Sequence, residues 1–158
     1  MREYKFRGKR IDNGEWVYGD LIIGCYIASY FEVRDLSKDE DLVKCVAVIH
    51  KVERSTIGQF TGLSDKNGRE IYKGDLLRYP PKDDWEKTNY VSYEVFWHEN
   101  DCCDNHIGWQ MNRYHFHGSL CGLVNDFTNF KPEYVAKMVV IGNIHGNRVD
   151  EGDEKSCL

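Results

Sequence analysis

This sequence of 158 residues has no long apolar run, few prolines and no cysteine spacing typical of disulfide pairs. No apolar run approaches the roughly 18 residues that a membrane-spanning helix needs, and the polar residues after Met1 do not resemble a secretion signal. The six cysteines lack the spacing of a disulfide framework, so we expect free thiols in a reducing compartment, the cytoplasm. Three prolines stand against 14 glycines, 10 Tyr, 7 Phe and 4 Trp, which is typical of strands joined by glycine turns.

Motifs for phosphate binding and for covalent catalysis are also missing. The glycines between Gly58 and Gly74 are not followed by the Gly-Lys-Ser/Thr element of a phosphate-binding loop. Two cysteines have a histidine close by in sequence, but neither pair has a motif that supplies an orienting third group. They are Cys103 with His106 and Cys121 with His117. We therefore predict a non-enzymatic protein with no catalytic residue and no cofactor.

Cysteine and histidine are concentrated between residues 98 and 121, which raises zinc binding as an alternative. Structural zinc takes four ligands in tetrahedral geometry, commonly from Cys-x-x-Cys elements, and no such element is present. Adjacent cysteines such as Cys102 and Cys103 seldom bind one ion together. We predict no bound metal, and the alternative site would draw on His98, Cys102, Cys103, His106, His115, His117 and Cys121.

The charge balance is mildly acidic, with a formal net charge of −5 and a pI of about 5.7. A nucleic-acid-binding domain usually carries a basic field, and here only the first strand has one. We interpret this strand as a solvated face, and binding of single-stranded nucleic acid is the alternative. Its basic residues are Arg2, Lys5, Arg7, Lys9 and Arg10.

A first hairpin is predicted over residues 3–23, because an alternating strand is followed by Asn13-Gly14 and a second apolar run. If Asn13-Gly14 is a two-residue turn, the register is fixed. It places Ile11 opposite Trp16, Phe6 opposite Leu21, Tyr4 opposite Ile23 and Arg7 opposite Asp20.

The block from Ser55 to Arg78 repeats this turn chemistry. Asp65-Lys66-Asn67-Gly68 predicts a hairpin turn, and Gly74-Asp75 predicts a tight corner before the next strand. The first hairpin contains a similar Gly19-Asp20 pair, so we expect a corner there too. We interpret Asp20 and Asp75 as carboxylates that each bond the turn amides of their own corner, rather than as one paired site.

The remaining segments follow from periodicity and breakers. Residues 26–33, 42–52, 91–97, 108–111 and 137–145 are predicted strands, residues 80–90 a loop, and residues 132–136 one helical turn. Residues 115–130 have helical spacing of apolar positions that Gly118 and Gly122 weaken. We expect an N-terminal β-lobe over residues 1–54, a C-terminal β-lobe over residues 55–146, and a loose acidic tail over residues 147–158.

Three blocks of sequence resemble the YopX family, which is found mainly in phages and prophages. They are Lys5–Lys9 with Gly14–Asp20, then Thr56–Asp75, which is the most specific, and finally Val140–His145. The resemblance implies a mainly β protein, intracellular in the bacterial host, with no established activity and no catalytic residue to transfer. The chain departs from the family at the 80–90 loop, at Cys102-Cys103 and at residues 115–130.

We therefore predict an all-β fold of two packed small SH3-like barrels or related β-lobes, with at most one or two short helices. The rings are too many for a core of this size, so some should lie at an interface. We expect a protein partner of host or phage origin, possible homo-oligomers and no membrane contact, with nucleic acid as the less favoured partner. The rings in question are Trp16, Tyr18, Trp85, Trp97, Trp109 and Tyr114.

Overall fold

A computed structural model describes residues 4–34, 43–99, 108–117 and 120–146; side chains at 33–34, 43–44, 115–117 and 120–129 lie outside the description. The predicted tail over residues 147–158 and the Cys102-Cys103 pair also lie outside it. The described residues form eleven strands, two short α-helices and one 3-10 turn. No helix among them is long and apolar enough to cross a membrane.

The first sheet has six strands, namely β1 Phe6–Lys9, β2 Trp16–Leu21, β3 Tyr26–Arg34, β4 Val43–Lys51, β5 Gly58–Ser64 and β6 Glu70–Tyr72. Their order across the sheet is β4-β3-β2-β1-β5-β6. The pairings β1–β2, β1–β5, β2–β3 and β3–β4 are antiparallel. The 3-10 turn Arg54–Thr56 precedes β5.

The second sheet has five strands, namely β7 Asp75–Arg78, β8 Asn89–His98, β9 Gly108–His117, β10 Leu120–Asn129 and β11 Val139–Asn143. They are antiparallel, in the order β10-β9-β8-β7-β11. Helix α1, Asp84–Thr88, precedes β8, and helix α2, Pro132–Val135, precedes β11.

The all-β prediction with two short helices is confirmed. The sequence left open small SH3-like barrels or related β-lobes, and the described strands form two open sheets in which no barrel closes. The chain divides into an N-terminal unit that ends at Phe60 and a C-terminal unit that begins at Thr61.

Each unit has its own buried apolar residues. In the N-terminal unit they are Ile27, Ala28, Val52 and Phe60. Gly8 lies against this core, since a Cβ built there would come within 2.9 Å of Val52 Cγ2. The C-terminal core cluster contains residues from strands, from helix α2 and from the segment between α2 and β11, namely Ile71, Leu77, Val95, Met111, Val135, Met138 and Val140.

The first hairpin forms where predicted, but its register is wrong by two residues. Phe6 lies opposite Gly19, and Arg7 lies opposite Tyr18 rather than Asp20. The loop is longer than two residues, because the Gly14 N–H donates to Arg10 O at 3.0 Å and the Arg10 N–H donates to Glu15 O at 2.9 Å. A shift of two leaves every side chain on its predicted face, since strand side chains alternate with period two.

Both Asn-Gly pairs lie at hairpin tips, as predicted, and Gly74 lies in a two-residue turn between β6 and β7. The corner predicted at Gly19-Asp20 is wrong, because β2 runs through both residues. The second copy of the pattern contains one extra residue, Lys73, and that residue with Gly74 makes the turn.

The 80–90 segment is not only a loop. Asp83 begins helix α1, where its carboxylate accepts from the Glu86 N–H at 2.8 Å, and Glu86 Oε2 accepts from the Lys82 N–H at 2.7 Å. This reciprocal arrangement resembles a capping box, and its Asp-x-x-Glu signal is present in the sequence.

The 115–130 segment is strand on both sides of residues 118–119. The backbones of β9 and β10 pair from His117 and Leu120 onward, with an irregularity between Val124 and Phe127. Helical spacing of the apolar positions was therefore misleading here, because pairing with β9 decides the conformation. The helical turn predicted at Pro132 is confirmed as α2.

Candidate functional site

Strands β3 and β4 form a two-stranded arm at one end of the first sheet, and we call the pair the β3–β4 arm. Nine residue pairs connect the two strands, from Tyr26 with Lys51 to Arg34 with Val43. Strand β2 pairs with β3 only at Ala28 and Ile27. In the described register, β3 from Tyr30 onward therefore has β4 as its only neighbouring strand.

Strand β3 is buried on both faces at the base of the arm and exposed on both faces further out. Ile27 and Ala28 are adjacent in β3, so their side chains lie on opposite faces, and they are 0% and 1% exposed. Further out, Tyr30 and Phe31 also lie on opposite faces, and they are 55% and 54% exposed. The described residues of the N-terminal unit therefore leave both faces of the outer arm largely exposed.

Each face of the outer arm carries apolar groups from both strands. On one face Phe31 lies opposite Val46, with Val48 next along β4. On the other face Tyr30 lies opposite Ala47, and Ile49, which lies opposite Ala28 where the outer arm begins, is next along β4 and 61% exposed. Monomeric soluble proteins rarely leave contiguous apolar surface of this kind uncovered unless it serves an interaction.

Three contacts join the arm to β2, two of them at its base and the third at Tyr30. Gly19 approaches β3 so closely that a Cβ built there would lie 1.9 Å from Ala28 O, and its φ of +155° is one that other residues rarely adopt. The Ser29 hydroxyl donates to Tyr18 O at 2.7 Å. The Tyr30 hydroxyl bonds the carboxylate of Asp20, and this hydrogen bond raises the pKa of Tyr30 above its ordinary value.

Strand β4 is also an edge, because the described strand order begins with it. At its C-terminal end, the Lys51 carbonyl accepts from the Ile11 N–H at 3.2 Å. An edge strand presents backbone donors and acceptors that can pair with another strand. The arm thus offers two different surfaces, its two apolar faces and its backbone edge.

The Ser55–Arg78 block holds two buried carboxylates that bind backbone rather than each other. Asp65 accepts from Asn67 and Arg69 through Oδ1 and from Val140 through Oδ2. Asp75 is fully buried and accepts from the Tyr72 N–H at 2.9 Å, as predicted for a corner carboxylate. Asp20 differs from the prediction, because it lies in a strand and bonds a tyrosine hydroxyl.

The Ser55–Arg78 block also lies within the part of the chain that matches a known protein family. The model of the YopX protein family matches residues 5–149. The chain belongs to the YopX family. The match confirms the resemblance drawn from the three sequence blocks.

One solved structure similar to this YopX-family chain is the crystal structure of protein EF1440 from Enterococcus faecalis. The two are 21% identical, with a TM-score of 0.49, over 92% of this chain and 95% of that one. No curated protein matches the chain.

The basic residues of the YopX-family chain's first strand do not form the solvated face that was predicted. Arg7 is only 2% exposed, and its guanidinium lies over the Trp16 ring, 4.7 Å from the centroid. Arg10 is held by Asp12 and Glu15, and the hydrogen bond to Asp12 raises the pKa of Arg10 and lowers that of Asp12. Lys5 and Lys9 are half-buried, and Arg2 lies outside the described residues.

The Cys/His cluster of the YopX-family chain is mostly beyond what the structure describes. Cys102, Cys103 and His106 lie outside it, and His115, His117 and Cys121 are given as strand backbone in β9 and β10. The described side chains contain no group of three possible metal ligands. The absence of a bound metal therefore stays a prediction, with zinc as its alternative. The absence of catalysis by the two cysteine–histidine pairs also stays a prediction.

The surplus of rings is distributed between surface and core. Trp85 is 65% exposed and Tyr18 is also exposed, whereas Trp97 and Trp109 stack edge to face with centroids 5.1 Å apart. Tyr114 donates to Glu94 at 2.6 Å. The exposed apolar groups of the arm were not identified from the sequence, because strands apolar on both faces are usually buried.

Proposed function

We propose that this YopX-family chain is a non-enzymatic accessory protein of a phage or prophage that binds another protein. It works in the cytoplasm of the bacterial host, and its partner is a protein of the host or of the phage. The observation that carries this proposal is the β3–β4 arm, which exposes apolar side chains on both faces beyond its buried base.

The physical reason is the cost of leaving such an arm in water. An isolated two-stranded hairpin is marginally stable, and each square ångström of apolar surface that a partner covers contributes about 25 cal/mol before the costs of association. Phe31 and Ile49, each more than half exposed, lie on opposite faces. A partner that covers either face would bury aromatic and β-branched groups together, which is typical of interface cores.

The surroundings of the basic residues in the first strand favour a protein partner over a nucleic-acid partner. Arg7 is buried against Trp16 and Arg10 is paired with two carboxylates, so neither presents an uncompensated charge to a phosphate. Phosphate contacts supply most of the affinity of non-specific nucleic-acid binding.

The test is capture of partners from phage-infected or lysogenic cells with the wild-type chain and with Phe31→Asp and Tyr30→Asp. Trp85→Asp is the matched control, because that ring is as exposed but lies in the C-terminal unit. We expect a specific protein that the wild type and the control retain and that at least one arm variant loses at least tenfold. Equal capture by all four proteins would exclude the arm as the binding surface.

Anisotropy of labelled single- and double-stranded oligonucleotides at low salt tests the nucleic-acid alternative. We expect no binding in the micromolar range. Micromolar binding that falls steeply with salt and weakens in Lys5→Ala or Lys9→Ala would overturn the proposal in favour of nucleic acid.

A further inference from the structure

Successive residues of β4 direct their backbone N–H and C=O groups alternately toward β3 and away from it. Two hydrogen bonds show which residues point in which direction. The Val52 N–H donates to Cys25 O at 2.8 Å, so this pair is of the hydrogen-bonded type in the β3–β4 ladder. Hydrogen-bonded pairs alternate along an antiparallel ladder, and the outward Lys51 carbonyl, bonded by Ile11, agrees with this phase. The residues of β4 that direct N–H and C=O away from β3 are therefore 43, 45, 47, 49 and 51.

The part of this edge with no described strand or turn on it runs from Val43 to Ile49. Beyond it, Lys51 bonds Ile11 and Arg10 bridges Val52, so the first hairpin occupies the edge there. Seven residues of strand extend about 23 Å. The midpoint of this open edge is Val46.

We propose that a second copy of this chain pairs with the open edge, antiparallel and about a two-fold axis at Val46. In that register Val46 lies opposite Val46 of the other copy, Cys45 opposite Ala47, and Val43 opposite Ile49. Every outward backbone group from residue 43 to 49 then has a partner. A shifted register leaves part of the open edge unpaired or drives one copy into the first hairpin.

The side chains suit self-pairing about this axis. Phe31 lies opposite Val46 within each copy, and both are exposed. Pairing therefore creates an unbroken apolar row of Phe31, Val46, Val46 and Phe31 across the two copies. Residues 45–49 carry no carboxylate or ammonium, so no like charges are opposed in the middle of the interface.

This inference goes beyond the proposed function, because it concerns the backbone edge of the arm and a second copy, not the faces and a foreign protein. The two can hold together, since edge pairing leaves the two faces of the arm directed outward. They also fail separately, because self-pairing is measured on the purified chain alone.

Cysteine crosslinking tests the register. In a Cys45→Ser background, Val46→Cys should give a disulfide-linked dimer on mild oxidation, since paired residues of the non-hydrogen-bonded type have Cα atoms about 4.5 Å apart. Val48→Cys is the matched control, because the two residues 48 would lie about 13 Å apart. The Cys45→Ser parent corrects for crosslinks through the remaining cysteines. Equal crosslinking of the two variants above that parent would overturn the register.

Light scattering of the wild type and of oppositely charged Val46 variants tests the association itself. We expect a mass of about 37 kDa, twice the 18.5 kDa of the chain. Val46→Lys and Val46→Glu should each be monomeric with an unchanged far-ultraviolet spectrum, and their mixture should regain the dimer mass, because residue 46 faces itself. The proposal is wrong if the wild type stays at 18.5 kDa over a wide concentration range, or if Val46→Lys alone remains dimeric.

Discussion

Asp65 Oδ2 accepts a hydrogen bond from the Val140 N–H at 3.0 Å, across 75 residues of sequence. Its other oxygen holds the turn, accepting from Asn67 at 2.8 Å and from Arg69 at 2.9 Å. Beside it, the Lys66 N–H donates to Met138 O at 2.8 Å. One buried side chain therefore joins the Asn67-Gly68 hairpin to the beginning of β11.

Replacement of Asp65 by Ala should lower the free energy of unfolding by about 3 kcal/mol, because it leaves three backbone N–H groups without their acceptor. Asp65→Asn should cost less, since its one carbonyl oxygen can still accept within the turn. Urea denaturation measures both. Asp84→Ala is the control, because this exposed residue has a surface ion pair with Lys87 and should change stability by less than about 0.5 kcal/mol.

Replacement of Gly19 by Ala should cost about 3 kcal/mol or more, because the added Cβ would overlap Ala28 O. The strand pair β2–β3 would have to separate, so the arm would lose its attachment. Gly14→Ala separates the two causes, since its φ of +72° is unfavourable but nothing lies within 4 Å. We expect that control to cost about 1 kcal/mol in the same urea titration; equal costs would show that the close approach to Ala28 is unimportant.

The pKa of Tyr30 should fall toward its ordinary value when Asp20 is replaced by Asn, because the carboxylate that holds the tyrosine proton is lost. In the wild type the raised pKa means that this bond stabilises the fold below the ordinary tyrosine value of about 10. The stabilisation is lost as the pH rises through the higher folded value. NMR titration of the Tyr30 ring in the wild type and in Asp20→Asn measures the shift, and an unchanged Tyr30 pKa in the variant would show that this bond does not hold the proton.

Replacement of Asp83 by Ala should destabilise helix α1 by about 1 kcal/mol, because the Glu86 N–H loses its capping acceptor. Hydrogen exchange of the Glu86 amide reports this local change, and global stability should stay almost the same. Asp84→Ala, one residue further on, should leave that amide protected. Protection of Glu86 in Asp83→Ala would show that the cap does not hold the helix.

The elements that the sequence predicted well depend on local chemistry. The turn at Asn67-Gly68 is held within five residues: the Asp65 carboxylate accepts from the Asn67 and Arg69 N–H groups, and the Asp65 carbonyl accepts from the Gly68 N–H. Strand β8 and helix α2 likewise follow from alternation and from Pro132.

The elements predicted wrongly depend on contacts distant in sequence. Gly19 was taken for a corner, whereas its lack of a side chain is required by Ala28 in the next strand. Arg7 was taken for a surface residue, whereas it is buried beside Trp16. The apolar strands of the arm carried no sign that both faces lie open, because exposure depends on which elements cover a strand, and local sequence does not specify them.

The separation of Asp65 and Val140 by 75 residues also delays the completion of the C-terminal unit during protein synthesis. The ribosome adds residues at about 5–20 per second, so several seconds pass between the appearance of the Asn67-Gly68 turn and that of its β11 partner. Core residues Met138 and Val140 are synthesised with β11, so the C-terminal core cluster is incomplete before that point. The N-terminal unit, with all of its strand pairs drawn from earlier residues, can be complete on the ribosome while the C-terminal unit is still waiting for its last strand.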